Sequence, residues 1–454
     1  MIFNAFLLVL SGVLVLCYSS SVSWWVVVWG SQVSSVMVIL WSFSGVGVVA
    51  CDGGGVFCYD EVSSWLIWLT FFIAGLSLLG SNSILLEKAS EKAFLCFVVG
   101  LVTILGMCFA VDSLFLFYVF FEFSLIPTFA VIGGWGYQPE RLRASKYIVL
   151  YTVSASLPLL VFVLFIFWGE GSDSLTLLKV RGGLLVSSMV FFVVILAFLV
   201  KSPAYGVHMW LPKAHVEAPV AGSMFLAGIL LKLGGYGLIR FMGLLKLSSS
   251  LVLGGVVCLC VFGGFVASVV CCAQVDGKSL VAYSSVGHMS LVLGGLVCGS
   301  YCGMAGGFLL MIAHGLSSCG LFFLVGELYK LYVSRMLFVI RGGIGGLFGI
   351  NVWLAMMCSF NAAAPPSLNL FSEIVLCVSL VSCYPGFGVI FGALGFLSCL
   401  YSWLFYCSTQ IGLYPLWARS CHSVSQFHVQ GVVCSSIVLS LVGLCVFCGL
   451  GKFS

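Results

Sequence analysis

KSPAYGVHMWLPKAHVEAPVAGSMFLAGILLKLGGYGLIR, residues 201–240, decides how this chain is read. Lys201 closes a long apolar run, and Ser202-Pro203 follows it directly. Proline has no N–H to donate and its ring clashes with the preceding turn, so Pro203 breaks the helix here. A short piece leads to Leu211-Pro212-Lys213, and a new apolar run then carries Lys232 near its middle. An ionisable side chain at bilayer depth is costly and marks a functional site by default. Irregular backbone at that depth is tolerated only against protein or a water-filled cavity. Two lysines beside a broken helix therefore point to an internal, hydrated path that carries cations.

The chain around this stretch is almost uniformly apolar. Of its 454 residues only 7% are charged, against about 25% in soluble domains, and mean hydropathy is +1.23. Apolar runs long enough to cross a hydrocarbon core of roughly 30 Å recur along the whole length. The fold class is an all-α polytopic membrane protein of about fourteen transmembrane helices, with no sizeable soluble domain. A net charge of +4 spread over loops gives no case for nucleic acid. Most of the 21 cysteines lie singly in apolar runs, where a thiol behaves as a small hydrophobe. Cys445-Val-Phe-Cys448 has no second pair and no nearby histidine, so no metal site is expected. The excess of Cys, Gly, Val, Phe and Trp over Lys, Asn, Thr, Pro and His fits G- and T-rich codons, as in an organelle gene. No Arg-rich, Ser-rich presequence precedes the first expected span, 2–20.

Few charges fall inside the spans. In 113–134 the one mid-span charge is Glu122, among Phe, Tyr and Leu, with Pro127 five residues on to kink the helix. Desolvation opposes an isolated carboxylate there, so Glu122 needs a proton or a cationic partner, and a purely structural ion pair is the alternative. His288 enters the membrane in KSLVAYSSVGHMSLVLGG and His314 in MIAHGLSSCGLFF. A lone buried histidine is commonly a packed core residue. Two in adjacent spans, each among small hydroxyl residues, leave room for water, and imidazole titrates near neutrality, which suits a proton relay. The span 345–381 is broken by Pro365-Pro366 as 184–210 is broken by Pro203, and its second half carries Glu373. Paired interrupted helices in corresponding positions are the mark of inverted-repeat transport folds. The expected organisation is a peripheral layer at 1–90, two inverted five-helix repeats at 91–245 and 246–410, and a loop and last helix at 411–454.

Other features are read as structural. Gly277-Lys278-Ser279 matches the end of a phosphate loop, but Cys272 stands where that motif needs glycine and no strand precedes it. Asp276 is expected to cap the next helix. Pro139, Glu140, Arg141 and Arg143 form a solvated helix start, Lys146 is an interfacial lysine, and Tyr414, Pro415, Trp417, Arg419, His422 and His428 fit an interfacial belt.

HMWLPKAHVEAPVAGSM (208–224) and LLKLGGYG (230–237) resemble the antiporter-like membrane subunits of proton-pumping NADH:quinone oxidoreductase, respiratory complex I. The matrix-loop WG-x-QPER at 135–141, FE-x-x-LIP at 121–127 and PP-x-x-NL-x-x-E at 365–373 extend the resemblance. It implies that Glu122 pairs with Lys201, that Lys232 is the central relay, that His288, His314 and waters bridge, and that Glu373 leads to a neighbouring subunit. It implies neighbouring antiporter-like chains and lipids such as cardiolipin as partners, in the mitochondrial inner membrane. NADH, FMN, iron–sulfur clusters and ubiquinone are expected on other subunits, and no cofactor on this one. The chain itself shows no Cys₄ cluster spacing and no dinucleotide fingerprint. Loops after odd-numbered spans hold eleven Lys and Arg against five elsewhere outside the spans, Arg240, Lys246 and Lys278 among these loop charges. The positive-inside rule then puts odd-numbered loops in the matrix and both termini in the intermembrane space. Two other readings remain: a subunit of a multi-subunit cation/proton antiporter, and a scaffold that no longer pumps. A scaffold would gain stability from apolar residues at these six positions.

Overall fold

A computed structural model describes residues 20–43, 50–51, 56–87, 90–247, 250–343, 348–412 and 424–449. The expected first span lies outside these residues except for Ser20, as do Lys88, Tyr414, Pro415, Trp417, Arg419, His422 and Lys452.

The helices run, in order, α1 Ser20–Phe43, α2 Glu61–Gly80, α3 Glu91–Ala110, α4 Leu114–Phe123, α5 Leu125–Trp135, α6 Arg141–Glu170 and α7 Ser188–Lys201. They continue as α8 Trp210–Glu217, α9 Val220–Met242, α10 Ser250–Cys272, α11 Gly277–Cys298 and α12 Tyr301–Tyr332. The chain closes with α13 Phe348–Asn361, α14 Leu368–Cys383, α15 Phe387–Gln410 and α16 Val424–Gly449. Among the described residues, ten helical spans are long and apolar enough to cross a membrane, α4 and α5 counting as one. The fold is thus all-α and multi-pass. Two further expected spans are each interrupted. Helix α7 stops at Lys201 because Pro203 disfavours helical backbone at Ser202, and α13 stops at Asn361, with helix resuming at Leu368 beyond a cis Pro365-Pro366 bond.

Two compact units divide the chain: residues 1–201 with 217–250, and residues 202–216 with 251–454. In the first unit, α9 is almost wholly buried against α2 and α7. Gly237 makes this contact close, since a Cβ there would run into the Phe198 ring of α7. The outer face is left to α6, whose Leu150, Val161, Phe165 and Trp168 are exposed, as lipid-facing residues would be. Sixteen of the twenty residues of α2 are buried, because its apolar faces pack between α1 and α9. Cysteine also departs from expectation at one place: Cys58, in a two-residue strand paired with Ala50–Cys51, is disulfide-bonded.

In the second unit, α12 is central and its apolar core is completely buried by α11, α13, α14 and α16. Serines inside these helices hide their hydroxyls by donating to the carbonyl one turn back, as Ser285 does to Ala282 at 2.6 Å and Ser318 to His314 at 2.6 Å. Polar atoms thereby enter an apolar bundle already satisfied.

Two expected loop charges sit in helices. Arg240 lies in the last turn of α9, 9% exposed, and Lys278 in the first turn of α11, 3% exposed. Both have partners there. Arg240 pairs with Asp60, at the start of α2, and its Nε donates to Tyr236 Oη at 2.9 Å. Lys278 Nζ and Arg335 Nη1 each donate at 3.3 Å to the Val216 carbonyl in the last turn of α8, where a cation is favoured by the helix dipole. Asp276 stands at the N-cap position of α11, but its side chain makes no cap bond. Its backbone carbonyl instead accepts from Ser279 Oγ at 2.8 Å.

Candidate functional site

The first unit holds Glu122, Lys201 and Lys232. Lys201 is the last residue of α7, 2% exposed. Its ammonium donates to the Phe121 carbonyl at 2.6 Å and lies 3.3 Å from the centroid of the Phe121 ring. The same carbonyl also accepts from Ser124 Oγ at 2.8 Å, where the helix is interrupted. Pro127 has no N–H for the carbonyl of Phe123 four residues back, and α4 gives way to α5 at Ser124. Glu122 is near enough to act on Lys201 through space, yet among the described residues the two make no ion pair, and Glu122 Oε1 is buried without a hydrogen-bond partner. An unsatisfied buried carboxylate oxygen costs about 1–3 kcal/mol or more. The site therefore stores a polar demand that a proton, a water or a moved lysine would meet.

Lys232 is completely buried. Residues 226–230 of α9 form one turn of π-helix, with Leu231 N–H bonded back to Leu226 O. Such wide turns concentrate at functional sites. Here the turn immediately precedes the lysine, and Lys232 Nζ donates to the Ala227 carbonyl within it. Beside the π-turn, Leu101, Val131, Ile132, Phe225 and Leu226 wall a small, almost wholly apolar space in which Thr128 is the one polar side chain.

The second unit gathers His288, His314 and Glu373. His288 Nδ1 is 3.3 Å from Glu373 Oε1, in ion-pair range but not aligned as a hydrogen bond. On its other side His288 Nε2 meets Tyr401 Oη at 3.2 Å. The His314 ring lies 5.8 Å from the His288 ring, centre to centre. His288, Glu373, Ser268, Ser398 and Tyr401 border a cleft with room for about one water. The break before α14 aims Glu373. Asn369, one turn earlier, donates to the Phe360 carbonyl at the end of α13 at 2.7 Å, and Cys399 Sγ approaches the Ala362 carbonyl at 3.4 Å. Carbonyls released by the break are thus met by protein donors, where water is the simpler expectation.

Chemically, each unit presents buried ionisable groups next to interrupted backbone, and in the second unit a cleft with room for about one water borders them. Residues 111–399 match the model of the NADH:quinone oxidoreductase/Mrp antiporter transmembrane family, and residues 2–108 match that of the NADH-ubiquinone oxidoreductase chain 4 amino terminus. The chain is 43% identical over 354 residues to NADH-ubiquinone oxidoreductase chain 4 of Ceratitis capitata, covering 78% of this chain and 79% of that one. It is 44% identical to chain 4 of Mytilus edulis, covering 83% and 86%. The chain belongs to the NADH-ubiquinone oxidoreductase chain 4 family. Its fold is also that of a chain of respiratory complex I from Thermus thermophilus, with a TM-score of 0.86 at 24% identity over 98% of this chain and 95% of that one. The chain 4 amino-terminal match separates this membrane subunit from the antiporters that share its transmembrane model.

Several features of this chain 4 member escape sequence reasoning. Tyr401 is one aromatic among many in α15. The π-turn shifts the helical register by one residue and leaves the apolar pattern intact. Asp60 and Arg240 are 180 residues apart. His215, passed over in the sequence, is completely buried and stacks on Phe322 with ring centres 4.4 Å apart.

Proposed function

We propose that this chain moves protons through the membrane arm of respiratory complex I, in the mitochondrial inner membrane, by a relay of buried side chains and water. The relay has a lysine set, Glu122, Lys201 and Lys232, and a histidine set, His288, His314 and Glu373. Glu122 modulates the lysine at the break, Lys232 is the central carrier, and Glu373 passes charge toward a neighbouring antiporter-like subunit. The two breaks, at Pro203 and Pro365-Pro366, belong to two inverted repeats, 91–245 and 246–410. Odd-numbered loops face the matrix and both termini the intermembrane space. NADH oxidation and ubiquinone reduction, with FMN and iron–sulfur clusters, occur on other subunits, and lipids such as cardiolipin cover the apolar outer faces. The chain contributes to NADH:ubiquinone reductase activity by coupling rather than by redox chemistry of its own.

The observation that carries this reading is Glu373 held at 3.3 Å from His288, with Tyr401 on the far ring nitrogen. A bundle gains nothing in packing from such a triad, since ionisable groups in the membrane are costly. Glu373→Gln keeps shape and removes titration. It should cut pumping by about 100-fold, the usual scale for losing a positioned proton-transfer group, while the complex still assembles. Glu373→Asp should retain part of the activity. Normal pumping in assembled Glu373→Gln complex would refute the assignment.

A further inference from the structure

Helix α15 is built inside out. Its exposed face carries Val389, Phe396, Trp403 and Leu404, while five of its seven buried residues are polar: Ser398, Tyr401, Ser402, Thr409 and Gln410. One end of that buried face, Ser398 and Tyr401, borders the cleft of His288 and Glu373. The other end is Gln410, the last residue of the helix, nine residues beyond Tyr401 and about 13 Å along the axis. Phe405 is the one apolar residue on the face between them. Ser402 donates to the Ser398 carbonyl and Thr409 to the Tyr406 carbonyl, at 2.8 Å each, and both oxygens keep lone pairs with which to accept.

The Gln410 end holds an unmet demand. Gln410 is 3% exposed and Asn351, in the first turn of α13, 8% exposed. Gln410 Oε1 and Asn351 Oδ1 are both buried without a hydrogen-bond partner. The two oxygens converge: a Cβ on Gly343 would lie 2.8 Å from the first and 3.0 Å from the second. One water with hydrogen bonds of up to about 3 Å therefore reaches both. Each amide is fixed in its orientation. Asn351 Nδ2 donates to the Gly343 carbonyl at 2.7 Å. Gln410 Nε2 donates at 3.3 Å to Thr409 Oγ1, whose own proton is committed to Tyr406. With both nitrogens engaged, the two acceptors call for a ligand that donates twice. Water does so and brings no charge to desolvate. Arg341, whose stem would meet a Cβ on Gly412 at 3.2 Å, disfavours a metal cation there.

We propose that Gln410, Asn351 and the bare face of Gly343 form a water site, and that protons enter the buried polar face of α15 through this water on the way to Tyr401 and His288. On the topology proposed above, this end of the unit faces the matrix. From the bound water to Tyr401 the path is about five water spacings, with Thr409, Ser402 and Ser398 as anchors. Each water takes one proton and gives one, so none is consumed. The entry role rests on the relay proposed above. The water site rests on the two oxygens alone.

The test uses the assembled complex, in a cryo-EM map that shows ordered waters and in pumping assays on inner-membrane vesicles. The map should show a water within hydrogen-bond reach of both Gln410 Oε1 and Asn351 Oδ1. Gln410→Leu keeps the size and removes the oxygen. It should slow pumping by about tenfold, the scale of one lost hydrogen bond, and raise the solvent deuterium isotope effect on the rate, because proton delivery becomes limiting. Gln410→Glu keeps an oxygen and should recover most of the rate. Gly343→Ala puts a methyl against both oxygens and should slow pumping with both amides intact. A direct bond from Gln410 Nε2 to Asn351 Oδ1, or a metal ion in place of the water, would overturn the proposal. So would slowed pumping in Gln410→Leu with an unchanged isotope effect, which is the mark of a structural loss, or normal pumping in Gln410→Leu or Gly343→Ala. Should Gln410→Leu pump normally, His288→Gln separates the causes: intact pumping there removes the relay as well, and lost pumping there removes the entry path alone.

Discussion

The two units solve the same problem differently. In the first, Lys201 donates to the Phe121 carbonyl and Lys232 to the Ala227 carbonyl, while Glu122 has a buried oxygen without a hydrogen-bond partner. In the second, titratable groups face one another directly, Glu373 against His288 and His288 against Tyr401. A carbonyl can hold an ammonium but cannot take its proton. A carboxylate or imidazole can. On the relay proposed above, the lysine set would hold and release positive charge, and the histidine set would pass a proton between facing neighbours. Interrupted backbone serves both, by supplying carbonyls in one and by aiming a carboxylate in the other.

The contrast breaks first at Glu122 and Lys201. Should the carboxylate govern the lysine without touching it, Glu122→Gln and Lys201→Met will not add. We expect a coupling of about 2 kcal/mol in the pumping rate, within the range for groups that act together, read from a double-mutant cycle on assembled complex. Additive losses would mean that the lysine set works as separate residues.

A second effect, in stability rather than in rate, concerns Arg240, on the same helix as Lys232 and two turns on. Arg240→Met leaves Asp60 without its guanidinium. Asp60 is partly exposed, with 27% of its side chain accessible, so the cost falls below that of a fully buried broken pair, at about 2 kcal/mol. Thermal unfolding or assembly yield would show it, and Asp60→Asn in the same background should restore part of the loss. Unchanged stability in Arg240→Met would make the pair ornamental. Smallest is Tyr401→Phe, which removes one hydroxyl from the histidine set. About 1 kcal/mol is at stake in a single neutral hydrogen bond, so pumping should slow by about fivefold. No change would place Tyr401 outside the set.

What the sequence made legible follows from chemical contrast. Lys232, Glu122 and Glu373 stand out because a charge in an apolar run has a large cost, and Pro203 and Pro365-Pro366 stand out because proline removes a donor. The fold class follows from the same apolar runs. Features without such contrast stay hidden. Tyr401 is one ring in an aromatic-rich helix, and the π-turn before Lys232 alters no residue type. Arg240 reads as a loop charge until Asp60, 180 residues away, is brought against it. Lys278 likewise reads as a loop lysine, although α8 ends where its ammonium can reach the Val216 carbonyl. Partners that far apart in the chain are set by tertiary packing, which local pattern does not encode.

The central claim is that buried ionisable groups carry protons, and Lys232 tests it most directly because it is completely buried and lies in the most enclosed helix of its unit. The measurement is protons pumped and NADH oxidised by assembled complex bearing Lys232→Ala. Pumping should fall by about 100-fold, the scale of a lost proton-transfer group, and coupled NADH oxidation should slow with it, while assembly is retained. Pumping at the normal rate and stoichiometry in that assembled variant would contradict the account.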